Sequence, residues 1–244
     1  MAFERARGLI GTLFDKMSEY GAPDTENFEF GPQESIEMSP DMLRTKKFEG
    51  GHKSKAYLDS LGYPTIGTGS LLEHKAYDEM PSQYAAMDMS EVEGDSLYNK
   101  DYNTKLGEVK SLYGEGFDNL PKEAQGVMTD MAYNVGSQGL FTKFPGMIED
   151  IRSGNYAGAA NQLKYKNPEL GDVEGNMSNW WDQVGGATTE GNIASGEWGA
   201  GDRANNRGTS NYDVLSGLGD NVSSDPVNDV MNNNTMMMNA FPTK

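Results

Sequence analysis

The sequence predicts an α+β protein in which one small β-hairpin accompanies a mainly helical remainder. Three observations carry that expectation. Apolar residues recur at helical spacing over residues 2–20 and again over 124–135. Two short strand-like runs, 55–59 and 63–68, flank Ser60-Leu61-Gly62. Helix start and stop signals, Ser39-Pro40-Asp41 and Gly50-Gly51, stand just before the first of those runs.

Taken in order, Phe3, Ala6, Ile10, Leu13, Phe14 and Met17 form one stripe of an amphipathic helix. Residues 21–38 show no period and read as a linker. A capping Ser39, with Pro40 at the first helical position and an acid after it, opens a helix. It should run to Phe48-Glu49 and stop at the glycines, which favour the left-handed turn that ends helices. The hairpin follows. From 71 to 118 the chain is polar and acidic, and reads as helical in pieces. Asn119-Leu120-Pro121 opens the most apolar helix, with Ala124, Val127, Met128, Met131, Ala132 and Val135 on its stripe and Gly136 and Gly139 at its end. Two further helices are expected over 144–151 and 156–163, divided at Ser153-Gly154-Asn155. Beyond 167 the chain is rich in Gly, Asn, Ser and Asp, anchored by Trp180-Trp181 and by 212–218. A Met-rich tail closes it.

Composition narrows the function classes. The 244 residues carry 37 acidic and 20 basic side chains, a net charge of −17. Such a polyanion repels nucleic acid and anionic membrane, so neither is an expected partner. With no Cys there is no disulfide scaffold, thiolate metal site or Cys nucleophile. His52 and His74 are the only histidines and read as exposed polar residues, so no metal or other cofactor is expected. No apolar run reaches the ~18 residues of a transmembrane helix, and the first residues lack a signal-peptide cleavage pattern. The charge is uneven. Residues 41–72 hold five basic and three acidic side chains, and 119–166 five and four; the acidic excess lies in 1–40, 73–118 and 167–244.

The mildly basic stretch 41–72 carries the candidate chemistry. Glu49 stands at a helix end, Asp59 on the first hairpin strand and Thr65 on the second. Glycoside hydrolysis needs one carboxyl that is protonated, to donate to the leaving oxygen. It needs another that is ionised, to activate water or to steady an oxocarbenium-like transition state. A Thr hydroxyl both donates and accepts, and so suits holding the water. Carboxylates a dozen residues apart are common, and by spacing alone three polar residues near a turn are as readily a solvated surface.

The surrounding motif is more specific. Lys47-Phe48-Glu49-Gly50, Ala56-Tyr57-Leu58-Asp59 and Gly62-Tyr63-Pro64-Thr65-Ile66-Gly67-Thr68-Gly69 together resemble the active-site region of phage-type lysozymes, glycoside hydrolase family 24. Met131-Ala132-Tyr133-Asn134-Val135-Gly136 resembles the end of that family's core helix. Trp180-Trp181 with Asp202-Arg203-Ala204-Asn205-Asn206-Arg207 resembles its closing helix. The resemblance spans roughly 40–215, with acidic insertions near 73–118 and 186–201. It implies a lysozyme-like fold, a small β-hairpin lobe and a mainly helical lobe with the cleft between them. It implies that Glu49 is the general acid, Asp59 the second carboxylate and Thr65 the holder of water on the far face of the sugar. It places Leu71, Tyr133, Met147 and Gln162 at substrate-contact positions, and Arg203 close to the catalytic Glu. Trp180 and Trp181 are candidates for stacking on sugar or for packing. The implied substrate is peptidoglycan, cut at the β-1,4 bond between N-acetylmuramic acid and N-acetylglucosamine.

The sequence departs from the family pattern in three ways. One extra residue separates the two carboxylates. Ser70 stands where the family usually has a His after its final Gly, so a buried His–Asp pair is missing. The whole chain is acidic, whereas such lysozymes are usually basic.

Three divisions follow: 1–38, a helix and linker; 39–215, the lysozyme-like domain; and 216–244, an Asn/Met-rich tail. The two extensions suit docking on other phage virion proteins, which favours an enzyme carried in the virion, in the tail or inside the particle. The alternatives are a free endolysin, made in the host cytoplasm and released to the periplasm, and a structural virion protein with a weak or inactive lysozyme fold. A lytic transglycosylase fits less well, because it needs only the Glu.

Overall fold

The computed structural model describes residues 37–59, 61–197 and 199–222. The expected N-terminal helix, nearly all of the linker and the Met-rich tail lie outside the described residues. The chain divides into two compact units, one through Gly107 and one from Glu108.

The first unit opens with α1 (Pro40–Phe48). Ser39 caps it, its Oγ accepting from the Met42 N–H at 3.3 Å, and Pro40 takes the first helical turn. Gly50 and Gly51 follow with φ of 83° and 79°, the left-handed conformation that stops the helix as expected. Next come β1 (Lys53–Leu58), β2 (Pro64–Gly67) and β3 (Ser70–Leu71), an antiparallel sheet in sequence order. The third strand was not expected; at two residues it is too short for alternation to reveal. Tyr57 pairs with Thr65 and Thr65 with Leu71, while Ile66 pairs with Ser70. Paired residues share a face, so Tyr57, Thr65 and Leu71 lie on one side and Ile66 and Ser70 on the other. Ile66 packs with Leu72, Tyr84, Met87, Met89 and Leu97, a core to which each side chain contributes on the order of 1.5–3 kcal/mol.

After α2 (Ser82–Ala85), the stretch expected to be helical in pieces contains one 23-residue helix, α3 (Glu91–Tyr113). With α2 it makes the stretch helical in pieces, as expected; Leu97, Tyr98, Tyr102 and Val109 of α3 are buried, and Gly94, Tyr98 and Asp101 meet other elements closely. Gly94 lies against His52, whose Nδ1 would be 2.3 Å from an added Cβ. Tyr98 Oη donates to the Met42 carbonyl oxygen at 2.8 Å, and Lys46 Nζ pairs with Asp95 at 2.5 Å. His52 is thus not the exposed residue expected. It is half-buried, with Nε2 3.0 Å from the Met89 carbonyl oxygen.

The second unit is helical. It contains α4 (Lys122–Val135), α5 (Ser137–Lys143), α6 (Pro145–Ser153), α7 (Tyr156–Lys164), α8 (Asn179–Gln183), α9 (Gly186–Ser195) and α10 (Arg207–Val222). The expected apolar stripe of α4 is buried, with Ala124, Val127, Met128, Met131 and Ala132 at 0% exposure. Gly136 ends α4, but Gly139 does not; it lies within α5. The expected insertion near 186–201 contains α9. Helix α10 runs past the expected boundary at 215 and packs on α7 and α4.

Candidate active site

The end of α1 and the sheet of the first unit bring Glu49, Tyr57 and Gly69 together. Glu49 is the residue that caps α1, and is partly buried. Its Oε2 is 3.0 Å from where a Cβ on Gly69 would stand, so the carboxylate rests on the turn between β2 and β3. Gly69 has φ of 80°, which an L side chain rarely adopts. Two separate constraints therefore require glycine there: the backbone turn and the close carboxylate.

Asp59 follows β1 at the hairpin turn. Its Oδ1 accepts from the N–H groups of Leu61 and Tyr63, each at 2.8 Å, while its own N–H donates to the Tyr63 carbonyl oxygen at 3.0 Å. An Asp that bonds the backbone two and four residues on both shapes the turn and fixes its own carboxylate. An open hollow of about 630 Å³ adjoins it, lined by Leu58, Asp59, Leu61, Gly62, Tyr77 and Asp78. Thr65 is buried on β2, and its Oγ1 donates to the Tyr63 carbonyl oxygen at 3.0 Å. Leu71 is partly exposed beside it.

Tyr57 was not singled out as a site residue, yet it lies close to both carboxylates. Burial pushes its phenol pKa up first, and the charges of Glu49 and then Asp59 push it further. Lys53 Nζ stands 3.7 Å from the centre of its ring. The phenol therefore stays a neutral O–H donor well past neutral pH. Its sequence signal was present in the Tyr-x-Asp pattern, read only for the Asp.

The remaining candidates lie in the second unit. Tyr133 and Gln162 are partly exposed, and the Gln162 amide packs over Gly146. Met147 is fully buried on α6, at 0% exposure. Arg203 lies in an ion-pair network of its own unit, its guanidinium 2.7 Å from Asp213 and 3.3 Å from Glu190. Lys164 pairs with Glu190 from the other side at 2.9 Å. The more deeply set arginine is Arg207, whose Nε is 3.2 Å from Asp130 on α4. Both tryptophans pack rather than stand open. Trp180 Nε1 donates to Asn134 at 2.9 Å, and Trp181 is fully buried with its ring edge-on to Tyr212.

Across from Glu49, the site rests on Ser70 and Asp101. Where the family usually has a His, the Ser70 hydroxyl donates to Asp101 Oδ2 at 2.5 Å. In place of a His–Asp pair there is a partly buried carboxylate held by a hydroxyl. Burial outweighs the Ser70 bond and the nearby Lys100 and Lys105, and pushes the Asp101 carboxyl up to about 6.

The glycine turn, the carboxylate at a helix end and the Asx-type hairpin describe the lysozyme class of fold, and sequence comparison agrees. Residues 46–188 match the family described as phage lysozyme, more than half of the chain, and the protein belongs to that family. Among solved structures it is similar to an endolysin from Escherichia coli O157:H7 phage FAHEc1. That pair is 20% identical and covers 66% of this chain and 94% of that one, with a TM-score of 0.43. No curated protein matches it.

Proposed function

We propose that the protein is a muramidase of the glycoside hydrolase 24 type, which cleaves the β-1,4 bond between N-acetylmuramic acid and N-acetylglucosamine in peptidoglycan. The observation that carries this reading is the seat of Glu49: a carboxylate at a helix end, resting on the Gly69 turn, with Tyr57 close to it. Glu49 gives its proton to the leaving glycosidic oxygen. Asp59, fixed by the two turn N–H groups, faces the positive charge that develops at the sugar and draws a proton from the attacking water. Thr65 orients that water with its hydroxyl. Leu71, Tyr133 and Gln162 contact the glycan. The proton leaves Glu49 with the new hydroxyl of the leaving sugar, and water supplies the hydroxyl on the other fragment, so atoms balance.

The test is a peptidoglycan zymogram of wild type against Glu49→Gln, with product masses. Clearing by wild type, products one water heavier than their 1,6-anhydro forms and no clearing by the variant are the expected results. Clearing that survives in Glu49→Gln removes Glu49 as the acid. Anhydro products make the enzyme a transglycosylase.

The reading extends to delivery. The enzyme is carried in the virion and opens the wall locally during infection. Residues 1–38 and 216–244 flank the family domain and suit attachment to other virion proteins, and most of the acidity lies outside the basic stretches 41–72 and 119–166. Mass spectrometry of purified particles should detect the chain. Its absence there, with abundance in lysates, makes it a free endolysin instead.

A further inference from the structure

Glu49 and the turn beneath it are both held by one face of α3. Gly94, Tyr98 and Asp101 recur at helical spacing, so they point the same way. Gly94 leaves room for the His52 ring, three residues after Glu49. Tyr98 Oη bonds the Met42 carbonyl of α1, and Asp95, one position round, pairs with Lys46 near the end of that helix. Asp101 then takes the Ser70 hydroxyl. Ser70 is 4% exposed, follows Gly69 directly and pairs with Ile66, the neighbour of Thr65. The helix that seats Glu49 from one side thus also seats the turn on which its carboxylate rests.

We propose that Asp101 is a positioning residue of this site: by accepting a hydrogen bond from the Ser70 hydroxyl it holds the Gly67–Thr68–Gly69–Ser70 turn as the seat of the Glu49 carboxylate. This rests on the reading of Glu49 as the general acid. Asp101 has no ion pair among the described residues, and Ser70 is the one side-chain donor to it that the described contacts show. A hydrogen bond from a neutral donor to a carboxylate is short and directional, which suits fixing a strand rather than neutralising a charge. The strand that leaves the turn, β3, is only two residues long, so a side-chain tie at Ser70 acts directly on its end. A small displacement of Gly69 moves the floor under Oε2, and misplacement of a reacting group is expensive in rate.

The experiment compares wild type with Ser70→Ala and Asp101→Ala, and with the conservative pair Ser70→Thr and Asp101→Asn. Steady-state hydrolysis of peptidoglycan fragments is read together with the titration of the Glu49 carboxyl by ¹³C NMR. Thermal melts confirm that each variant is folded. In the alanine variants kcat should fall about tenfold or more while KM stays within about twofold, and the Glu49 titration midpoint should move. The conservative variants, which keep a hydroxyl or an acceptor, should restore most of kcat and the wild-type midpoint. Folded alanine variants with wild-type kcat and an unmoved midpoint overturn the proposal, as does an Asp101→Asn variant as impaired as Asp101→Ala. If wild type itself hydrolyses nothing, the muramidase reading fails, and the Glu49 midpoint alone still decides whether Asp101 positions that carboxylate.

Discussion

Asp101 in the first unit and Asp130 in the second are both carboxylates set into the protein, and they are held in opposite ways. Asp130 is 0% exposed and has a full set of partners: Arg207 Nε at 3.2 Å on one oxygen and Asn211 Nδ2 at 2.7 Å on the other. Asp101 is partly buried, with a hydroxyl and no cation in contact among the described residues, and its carboxyl is pushed up to about 6. A buried charge with an ion partner ties two helices together and is costly to break. A partly buried charge with only a hydroxyl costs stability at neutral pH. The second unit therefore uses its carboxylate as a fastening, whereas the first spends stability on one beside the candidate site.

That contrast can be broken at several points. The largest expected effect is in the second unit. Arg207→Ala strands Asp130 in the interior and should lower unfolding free energy by about 3–5 kcal/mol, read by urea denaturation. A loss under about 1 kcal/mol would show that the pair is not the fastening its burial suggests. In the first unit the largest effect falls on rate. Gly69→Ala puts a methyl 3.0 Å from Glu49 Oε2 on a backbone with φ of 80°. It should cost about 100-fold in kcat, measured on peptidoglycan fragments. Activity within twofold of wild type would mean that the Glu49 carboxylate need not rest there.

The pH dependence of stability tests Asp101 directly. The folded Asp101 carboxyl ionises near 6 and the unfolded one near its ordinary 3.8, so the folded state holds the proton more tightly. Its contribution to stability is full below about pH 4 and is lost as pH rises to about 6. Asp101→Asn removes that loss and should stabilise the protein at pH 7 by roughly 2 kcal/mol, with little change at pH 4, in melts run across that range. Asp130→Asn should do the reverse at pH 7, since it weakens a complete pair. Should both asparagine variants destabilise equally, the contrast between the two sites is wrong.

Smaller effects mark the surface. Ser39→Ala removes the cap of α1 and should cost about 1 kcal/mol. Arg203→Ala breaks a half-exposed network and should cost less than about 1 kcal/mol in the same melts. A larger cost for Arg203 than for Arg207 would reverse the ranking of the two arginines.

Much of the first unit was legible in the residues. The Ser39 cap, the Gly50-Gly51 stop and the Asp59 turn are local chemistry, each decided within a few residues, and the carboxylates sit at those landmarks. The apolar stripe of α4 was equally plain. For α3 only the helical character was legible; that Gly94, Tyr98 and Asp101 meet His52, Met42 and Ser70 was not, because those partners lie on other elements. Residues 70–71 were missed as a strand because two residues carry no period. The full burial of Met147 was not legible either, since position in a motif says nothing of burial.

The sequence by itself determined the helix ends, the hairpin, the carboxylate spacing and the membership in a family, because hydrogen bonds between near neighbours and periodic apolar faces are written into short stretches of chain. The tertiary structure alone decided that Arg207 rather than Arg203 meets a buried carboxylate, that Ser70 meets Asp101, and that the Glu49 carboxylate lies over Gly69. Those pairings join residues 20 to 77 positions apart, and only the docking of whole elements determines which distant polar groups meet and which of them leave water.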